Sequence, residues 1–282
     1  MNAGLLSDIL YADDTLIFGQ QARLVEEYAM AVEKAGALYG MKLHWGKTQA
    51  LLVGDATELR KPDGTPFENN GSLQYLGATL ACDGRPDSEL SRKLGTARAD
   101  FNQLRQLWSH SGTPLTDKLR YFDAYVLSKL QYGLATIWLN TAQRRRMDGF
   151  VARCLRRILH VPAAFISRVS NATIYERAGV GAFSQQILKH QLVLLRKVAL
   201  SQNPHLRRDT FADSSLTPQI GRFVRRVGRP RQDWTSRLLQ EGRERFGAEK
   251  FQSFLTDTDD GADARWRTEL QRVFSRKAAK MA

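Results

Sequence analysis

Two hydrophobic rhythms divide the chain. As far as residue 84, apolar residues come in short runs broken by Gly, Asp, Asn and Pro; from Ser88 they recur every three or four positions. Ile9-Leu10 and Leu16-Ile17-Phe18 flank an acidic pair, Asp13-Asp14. That pattern predicts a β-hairpin over 5–11 and 15–19 with both aspartates in its turn. Residues 21–38 place Leu24, Val25, Tyr28, Ala29, Val32, Ala35 and Leu38 at helical spacing, with Gly40 as the C-cap, and this helix is expected across the back of the hairpin. Two short strands joined at Gly46 are expected over 40–53, then a turn-rich loop over 58–71, then one strand over 74–80 closed by Asp83-Gly84.

The second rhythm gives three apolar stripes. Leu90, Leu94, Ala97, Phe101, Leu104 and Trp108 form the first. Leu115, Leu119, Phe122, Val126, Leu130, Leu134 and Trp138 form the second, interrupted by Gly133. Met147, Phe150, Val151, Cys154, Leu155, Ile158 and Leu159 form the third. Ser170 or Asn171 is placed to N-cap a short helix, and another helix is expected over 184–200, with Pro204 soon after. Residues 207–219 read as a loop, and 234–274 as helix broken by Asp257-Thr258-Asp259-Asp260-Gly261. That acidic stretch lacks the twelve-residue ligand spacing of a calcium loop. The resulting fold class is α+β, with a short-stranded first part and a mainly α-helical remainder.

Composition changes this picture in one respect. The 282 residues are 43% hydrophobic and 25% charged, ordinary values for a globular protein, but the net charge is +13 and the pI near 10. A surplus of that size points to an anionic partner, most simply nucleic acid held through its phosphates. It falls on Arg144, Arg145, Arg146, Arg153, Arg156 and Arg157 around the third stripe, with only Asp148 to offset them. It falls again on Arg222, Arg225, Arg226, Arg229 and Arg231, among Gly and Pro, where an extended basic strip is expected. A solvated basic face is the alternative for the first group, and a disordered basic linker is the alternative for the second. No apolar run approaches the ~20 residues that cross a bilayer, no secretory leader is evident, and two cysteines (Cys82, Cys154) make no disulfide framework. An intracellular setting, nuclear or cytoplasmic, and no membrane partner are expected.

The candidate chemistry sits at Asp13 and Asp14. Two carboxylates about 4 Å apart repel by about 4 kcal/mol at an effective dielectric of 20, and a divalent cation is the usual reason to hold them together. A chain-reversing turn needs no cation. Tyr11-Ala12-Asp13-Asp14 between apolar strands resembles the metal-binding hairpin of reverse transcriptases, especially those of non-LTR retrotransposons. Gly40…Lys47-Thr48, Tyr75-Leu76-Gly77, Leu130-Gln131-Tyr132-Gly133…Trp138 and Gly228-Arg229-Pro230-Arg231…Trp234 resemble further segments of that family, in its order.

The resemblance implies the end of a palm over 1–84, a helical thumb and the start of a connector over 85–205, and a basic connector region over 206–282. It implies an RNA-directed DNA polymerase with two-metal chemistry, using Mg²⁺ or Mn²⁺, an RNA template, a DNA primer and their hybrid. Asp13 would be a metal ligand and Asp14 a more peripheral one. Lys47 would neutralise departing pyrophosphate or act as a turn lysine, and Tyr75, Leu76 and Gly77 would grip the primer. Arg145, Arg153, Arg156, Arg157, Arg225, Arg226, Arg229 and Arg231 would meet nucleic acid. The family also uses an upstream aspartate and fingers, and Asp8, roughly 16 Å along the strand from Asp13, is too far to substitute. A fragment inactive by itself is therefore expected, or a basic nucleic-acid-binding protein derived from the element.

Overall fold

The computed structural model describes residues 6–53, 58–68, 71–219 and 233–275. It is α+β and mainly helical, with two small antiparallel hairpins, and the chain divides into two units, Met1–Glu89 and Leu90–Ala282.

In the first unit, β1 (Leu6–Tyr11) pairs with β2 (Asp14–Gly19) in the register Tyr11↔Asp14 to Leu6↔Gly19. The turn is Ala12-Asp13, so Asp13 lies in it and Asp14 opens β2. Helix α1 (Ala22–Ala37) packs on β2. It closes with Met41 N–H donating to the Gly36 carbonyl (3.0 Å) and Gly40 N–H to the Ala37 carbonyl (3.1 Å), around Gly40 at φ 74°. That paired closure needs a left-handed residue, which glycine adopts without steric cost.

Two strand expectations are corrected. Residues 40–53 form no strand pair; they hold a turn in which Lys47 and Thr48 N–H both donate to the His44 carbonyl (2.8 and 3.1 Å). Within 40–53 the described pairing is limited to a single bridge position at Ala50, too little for a strand pair. Residues 74–80 are not one strand but a hairpin, β3 (Ser72–Tyr75) and β4 (Ala78–Ala81). Its turn is Leu76-Gly77 with φ 48° and 73°, and positive φ at both central residues is the two-residue turn whose twist matches paired strands.

Neither hairpin closes a core. Among the described residues of this unit only Glu89 is buried, while Leu10, Tyr11, Leu38, Tyr39 and Met41 are each more than half exposed. A lone two-stranded ribbon has too little area to bury a face.

Helix α2 (Asp87–Gln103) begins at the end of the first unit and runs into the second. The second unit continues with α3 (Arg105–Ser109), α4 (Leu115–Phe122), a π-helical turn over Asp123–Leu127 and α5 (Ser128–Gln131). The second predicted stripe runs through α4 to α5 and stops where Gly133 takes φ 78°. Then come α6 (Thr141–Ile158), α7 (Ala164–Ser167), α8 (Asn171–Ala178) and α9 (Phe183–Ala199). Of the two candidate caps, Ser170 is the one used: its hydroxyl accepts the Thr173 N–H at 3.1 Å. Pro204 opens α10 (Pro204–Thr210), so the loop expected from 207 begins later. α11 (Trp234–Phe246), α12 (Ala248–Thr256) and α13 (Ala262–Val273) complete the unit, and Gly247 adds a break that periodicity did not predict.

The buried residues form two apolar clusters. One runs from Leu90 to Ile187 and includes Phe101, Trp108, Phe122 and Met147. The other runs from Leu188 to Leu270 and includes Leu238, Phe251 and Trp266. Helix α9 feeds both, and the Trp234 indole donates to the Ala135 carbonyl (2.9 Å), tying α11 back to the earlier helices. Among the described residues no helix is long and apolar enough to cross a membrane.

Candidate nucleic-acid interface

Helix α6 starts with a reciprocal cap: Gln143 N–H donates to Asn140 Oδ1 (3.0 Å) and Asn140 N–H to Gln143 Oε1 (2.9 Å). From that fixed start, Met147, Phe150, Val151, Cys154, Leu155 and Ile158 turn inward. Arg146, Arg153 and Arg157, spaced seven and four residues apart, therefore stand in one exposed row. Arg145 is exposed as well, one residue round the helix from that row.

Helix α2 supplies the other side. Arg146 Nη1 donates to Ser91 Oγ (3.0 Å), which fixes where the two helices meet. Two turns along α2 from Ser91, Arg98 is exposed, and Arg98, Arg153 and Arg157 all act on the Cys154 thiol. Burial pushes that thiol up to about 12 against the opposing pull of the three cations, so Cys154 is packing and not a nucleophile. The seam between the helices carries small residues: nothing would meet a Cβ at Gly95 within 4 Å, and a Cβ at Gly149 would lie 3.7 Å from Arg153 Nη1. Backbone of another molecule can approach closely there.

What makes the row unusual is the absence of counter-charge. Arg98, Arg145, Arg153 and Arg157 form no hydrogen bond or ion pair among the described residues. Asp148, the acid expected to offset them, is spent elsewhere: its carboxylate accepts the Ser184 N–H (2.8 Å) and hydroxyl (2.6 Å) at the start of α9. Grouped guanidiniums repel one another, and a phosphate backbone relieves that repulsion while matching their donor forks.

Two arginines leave the candidate set on structural grounds. Arg156 is 5% exposed. Its guanidinium donates to the carbonyls of Val169 (2.6 Å) and Pro162 (3.3 Å), to Asn171 Oδ1 (3.1 Å) and to Ser167 Oγ (3.4 Å). It pins the return of the chain over α6, which corrects its assignment to a phosphate-facing surface. Arg144 lies over the Trp138 ring (4.2 Å) and pairs with Glu241 (3.3 Å). Arg225, Arg226, Arg229 and Arg231 lie outside the described residues.

No family model, curated protein or solved structure matches this chain. The interface therefore rests on its own chemistry.

In the first unit, Asp13 and Asp14 are exposed and their carboxylates make no hydrogen bond or ion pair among the described residues. Ala12, just before them, is held at φ 52°, a conformation that costs an L-residue roughly 1–2 kcal/mol. No group of three or more His, Cys, Asp or Glu side chains comes together among the described residues. Two free carboxylates suit one hard cation that keeps water and phosphate oxygens in the rest of its shell. Asp8, opposite Ile17, sits three ladder pairs from Tyr11↔Asp14.

Lys47 is exposed in its turn and makes no ion pair with either aspartate. The Leu76-Gly77 turn presents backbone at a hairpin tip, and Tyr75 Oη donates to the Ile9 carbonyl (3.2 Å), which brings this hairpin onto β1. Sequence periodicity missed Arg98, which lies outside the arginine runs; the available signal was its place on the polar side of the first stripe, three residues from Gly95.

Proposed function

We propose that the chain is part of an RNA-directed DNA polymerase of a non-LTR retrotransposon. In this reading the first unit carries the Asp-Asp end of a palm. The second carries a thumb and connector that hold RNA template, DNA primer or their hybrid by the phosphates. The observation that carries the binding half is the uncompensated Arg98, Arg153 and Arg157 group where α2 meets α6. Support for the palm half is the contact of Tyr75 with Ile9, which joins the Tyr-Leu-Gly hairpin to the Asp-Asp hairpin.

The chemistry follows from the donors present. Asp13 would ligate Mg²⁺ or Mn²⁺, with Asp14 peripheral. The metal would supply charge stabilisation for the attacking and leaving oxygens of nucleotidyl transfer. Lys47 would meet leaving pyrophosphate. Two-metal transfer asks for more carboxylate than this pair, so the chain alone is expected to bind a single cation weakly and to add no nucleotide.

A second reading keeps the interface and drops the chemistry: a basic RNA- or DNA-binding protein derived from such an element. The observation on its side is that the described residues gather no third acid beside Asp13 and Asp14. Primer extension on a primed RNA template with Mg²⁺ or Mn²⁺ separates the two. No product from this chain is expected. In a longer chain that also carries palm and fingers segments, Asp13→Asn should abolish extension and leave template binding intact. Robust extension by the 282-residue chain, lost in Asp13→Asn, would overturn the half-site account. Extension absent even from the longer chain would leave the binding protein.

A further inference from the structure

A hollow of about 80 Å³ lies where the end of α4 and the π-helical turn meet α6 and the start of α9. Its inner walls are apolar, and Phe122, Val151, Leu155 and Phe183 among them are buried. Asp123 and Gly181 line it as exposed residues, so they stand at its mouth. None of the lining residues is basic, in a unit where Lys and Arg outnumber Asp and Glu by 35 to 16. The Asp123 carboxylate makes no hydrogen bond or ion pair among the described residues. A Cβ at Gly181 would meet nothing within 4 Å, so the backbone of another molecule can come close there.

The same unit carries a protrusion of complementary chemistry. On the short helix α7, Phe165 and Ile166 are 76% and 64% exposed. The turn that holds them is fixed from beneath. The Ser167 hydroxyl donates to the Pro162 and Ala163 carbonyls (3.2 Å each), and the buried Arg156 donates to the Pro162 and Val169 carbonyls (3.3 and 2.6 Å). Two large apolar side chains standing out on a fixed turn mark a contact surface. Arg168, two residues after Ile166, is exposed, and its guanidinium makes no hydrogen bond or ion pair among the described residues.

We infer that the chain binds a second copy of itself, the α7 turn of one copy docking on the hollow of the other. Ile166 fills the hollow, Phe165 covers its rim, and Arg168 pairs with Asp123. Size assigns the first role: a cavity of about 150 Å³ takes benzene, so one of about 80 Å³ suits a branched aliphatic chain better than a ring. Charge assigns the last. Copies of a protein with a net charge of +13 repel one another, and an acid and a base that both lack partners give the approach a place where it is favourable. An aliphatic anchor in a pocket with a charged pair at the rim is the usual division of work in such contacts. Arg98, Arg153 and Arg157 take no part, so this inference and the nucleic-acid reading stand or fall separately.

Sedimentation velocity of the full chain, freed of nucleic acid by nuclease and compared across the micromolar range, tests the contact. The sedimentation coefficient should rise with concentration. Ile166→Ser, an exposed substitution, should weaken association by about tenfold or more, the loss expected for one aliphatic side chain left unburied. Gly181→Trp should also block association, since a side chain there meets nothing in its own copy and obstructs the mouth. Asp123→Arg and Arg168→Asp should each weaken association by setting like charges together, and Asp123→Arg/Arg168→Asp in one chain should restore it.

Restoration decides the matter, because a chain harmed in its fold by one substitution is not rescued by the second. A sedimentation coefficient independent of concentration overturns the inference. So does association untouched by Ile166→Ser and Gly181→Trp, which would place the contact on another surface. Single charge variants that associate normally, or that the exchange fails to rescue, overturn it as well.

Discussion

Asp148 accepts the backbone N–H of Ser184 at 2.8 Å and its hydroxyl at 2.6 Å, so the acid inside the α6 arginine run is committed to the first turn of α9. Its carbonyl is occupied too, by the Tyr175 hydroxyl at 2.8 Å. Burial and the neighbouring Asp148 charge both push the Tyr175 phenol above its ordinary range, so it stays a neutral donor. One aspartate thus fixes α6 to α8 and α9 and leaves Arg98, Arg153 and Arg157 without an ion pair among the described residues.

Replacing Asp148 with Ala removes the α9 cap and leaves the Ser184 N–H unpaired. The expected cost is about 1–2 kcal/mol in urea denaturation. Affinity for nucleic acid measured on the folded variant at fixed salt should rise by less than about threefold. A large rise without loss of stability would mean that Asp148 screens the arginines after all.

Gly242 illustrates a sign set by packing. In a helix interior Gly→Ala ordinarily gains about 1 kcal/mol. Here a Cβ at position 242 of α11 would fall 2.1 Å from Phe251 Cζ, in the aromatic group where Phe246 and Phe251 stack at 5.7 Å. The ring is 1% exposed and cannot swing away. Gly242→Ala should therefore destabilise by about 1–3 kcal/mol, seen as a lower urea midpoint. An unchanged or higher midpoint would show that α11 and α12 are not packed this closely.

The two units should also differ in resistance to protease. Residues 90–275 contain both apolar clusters, whereas Glu89 is the one buried residue among those described up to 89. Limited proteolysis should cut first within 1–84 and leave a helical fragment that includes α2 to α9. Equal resistance throughout would mean that the exposed apolar residues of the first unit are covered in solution.

The helices were legible because burying one face imposes a period that survives in the sequence; Leu90, Leu94, Ala97 and Phe101 are all buried as that period requires. Punctuation was legible where the residue itself prefers the geometry, as at Ser170 and Gly133. The Leu76-Gly77 turn was hidden because leucine at φ 48° leaves no signal in composition. Arg156 was hidden for a different reason. Its position does point away from the α6 stripe, but the chain returns over that side through Pro162, Ser167, Val169 and Asn171, a long-range event that no local period encodes. The Asp13-Asp14 turn was placed to within one residue, since short apolar runs on both sides of an acidic pair leave few other ways to pair.

In the proposed function the Arg98, Arg153 and Arg157 group holds a phosphate backbone. The direct measurement is the salt dependence of binding to a nucleic-acid duplex by the whole chain and two variants. The whole chain should lose affinity with a slope of log K on log salt near −4 to −5, as for about four to six phosphate contacts. Arg98→Ala/Arg153→Ala/Arg157→Ala should reduce the magnitude of that slope by about 2–3, with urea stability changed by less than about 0.5 kcal/mol. Arg156→Ala should do the reverse, costing about 2–4 kcal/mol of stability through its orphaned partners and leaving the slope of the folded fraction unchanged. A slope identical in the triple variant and the whole chain, or binding indifferent to salt, would contradict the account.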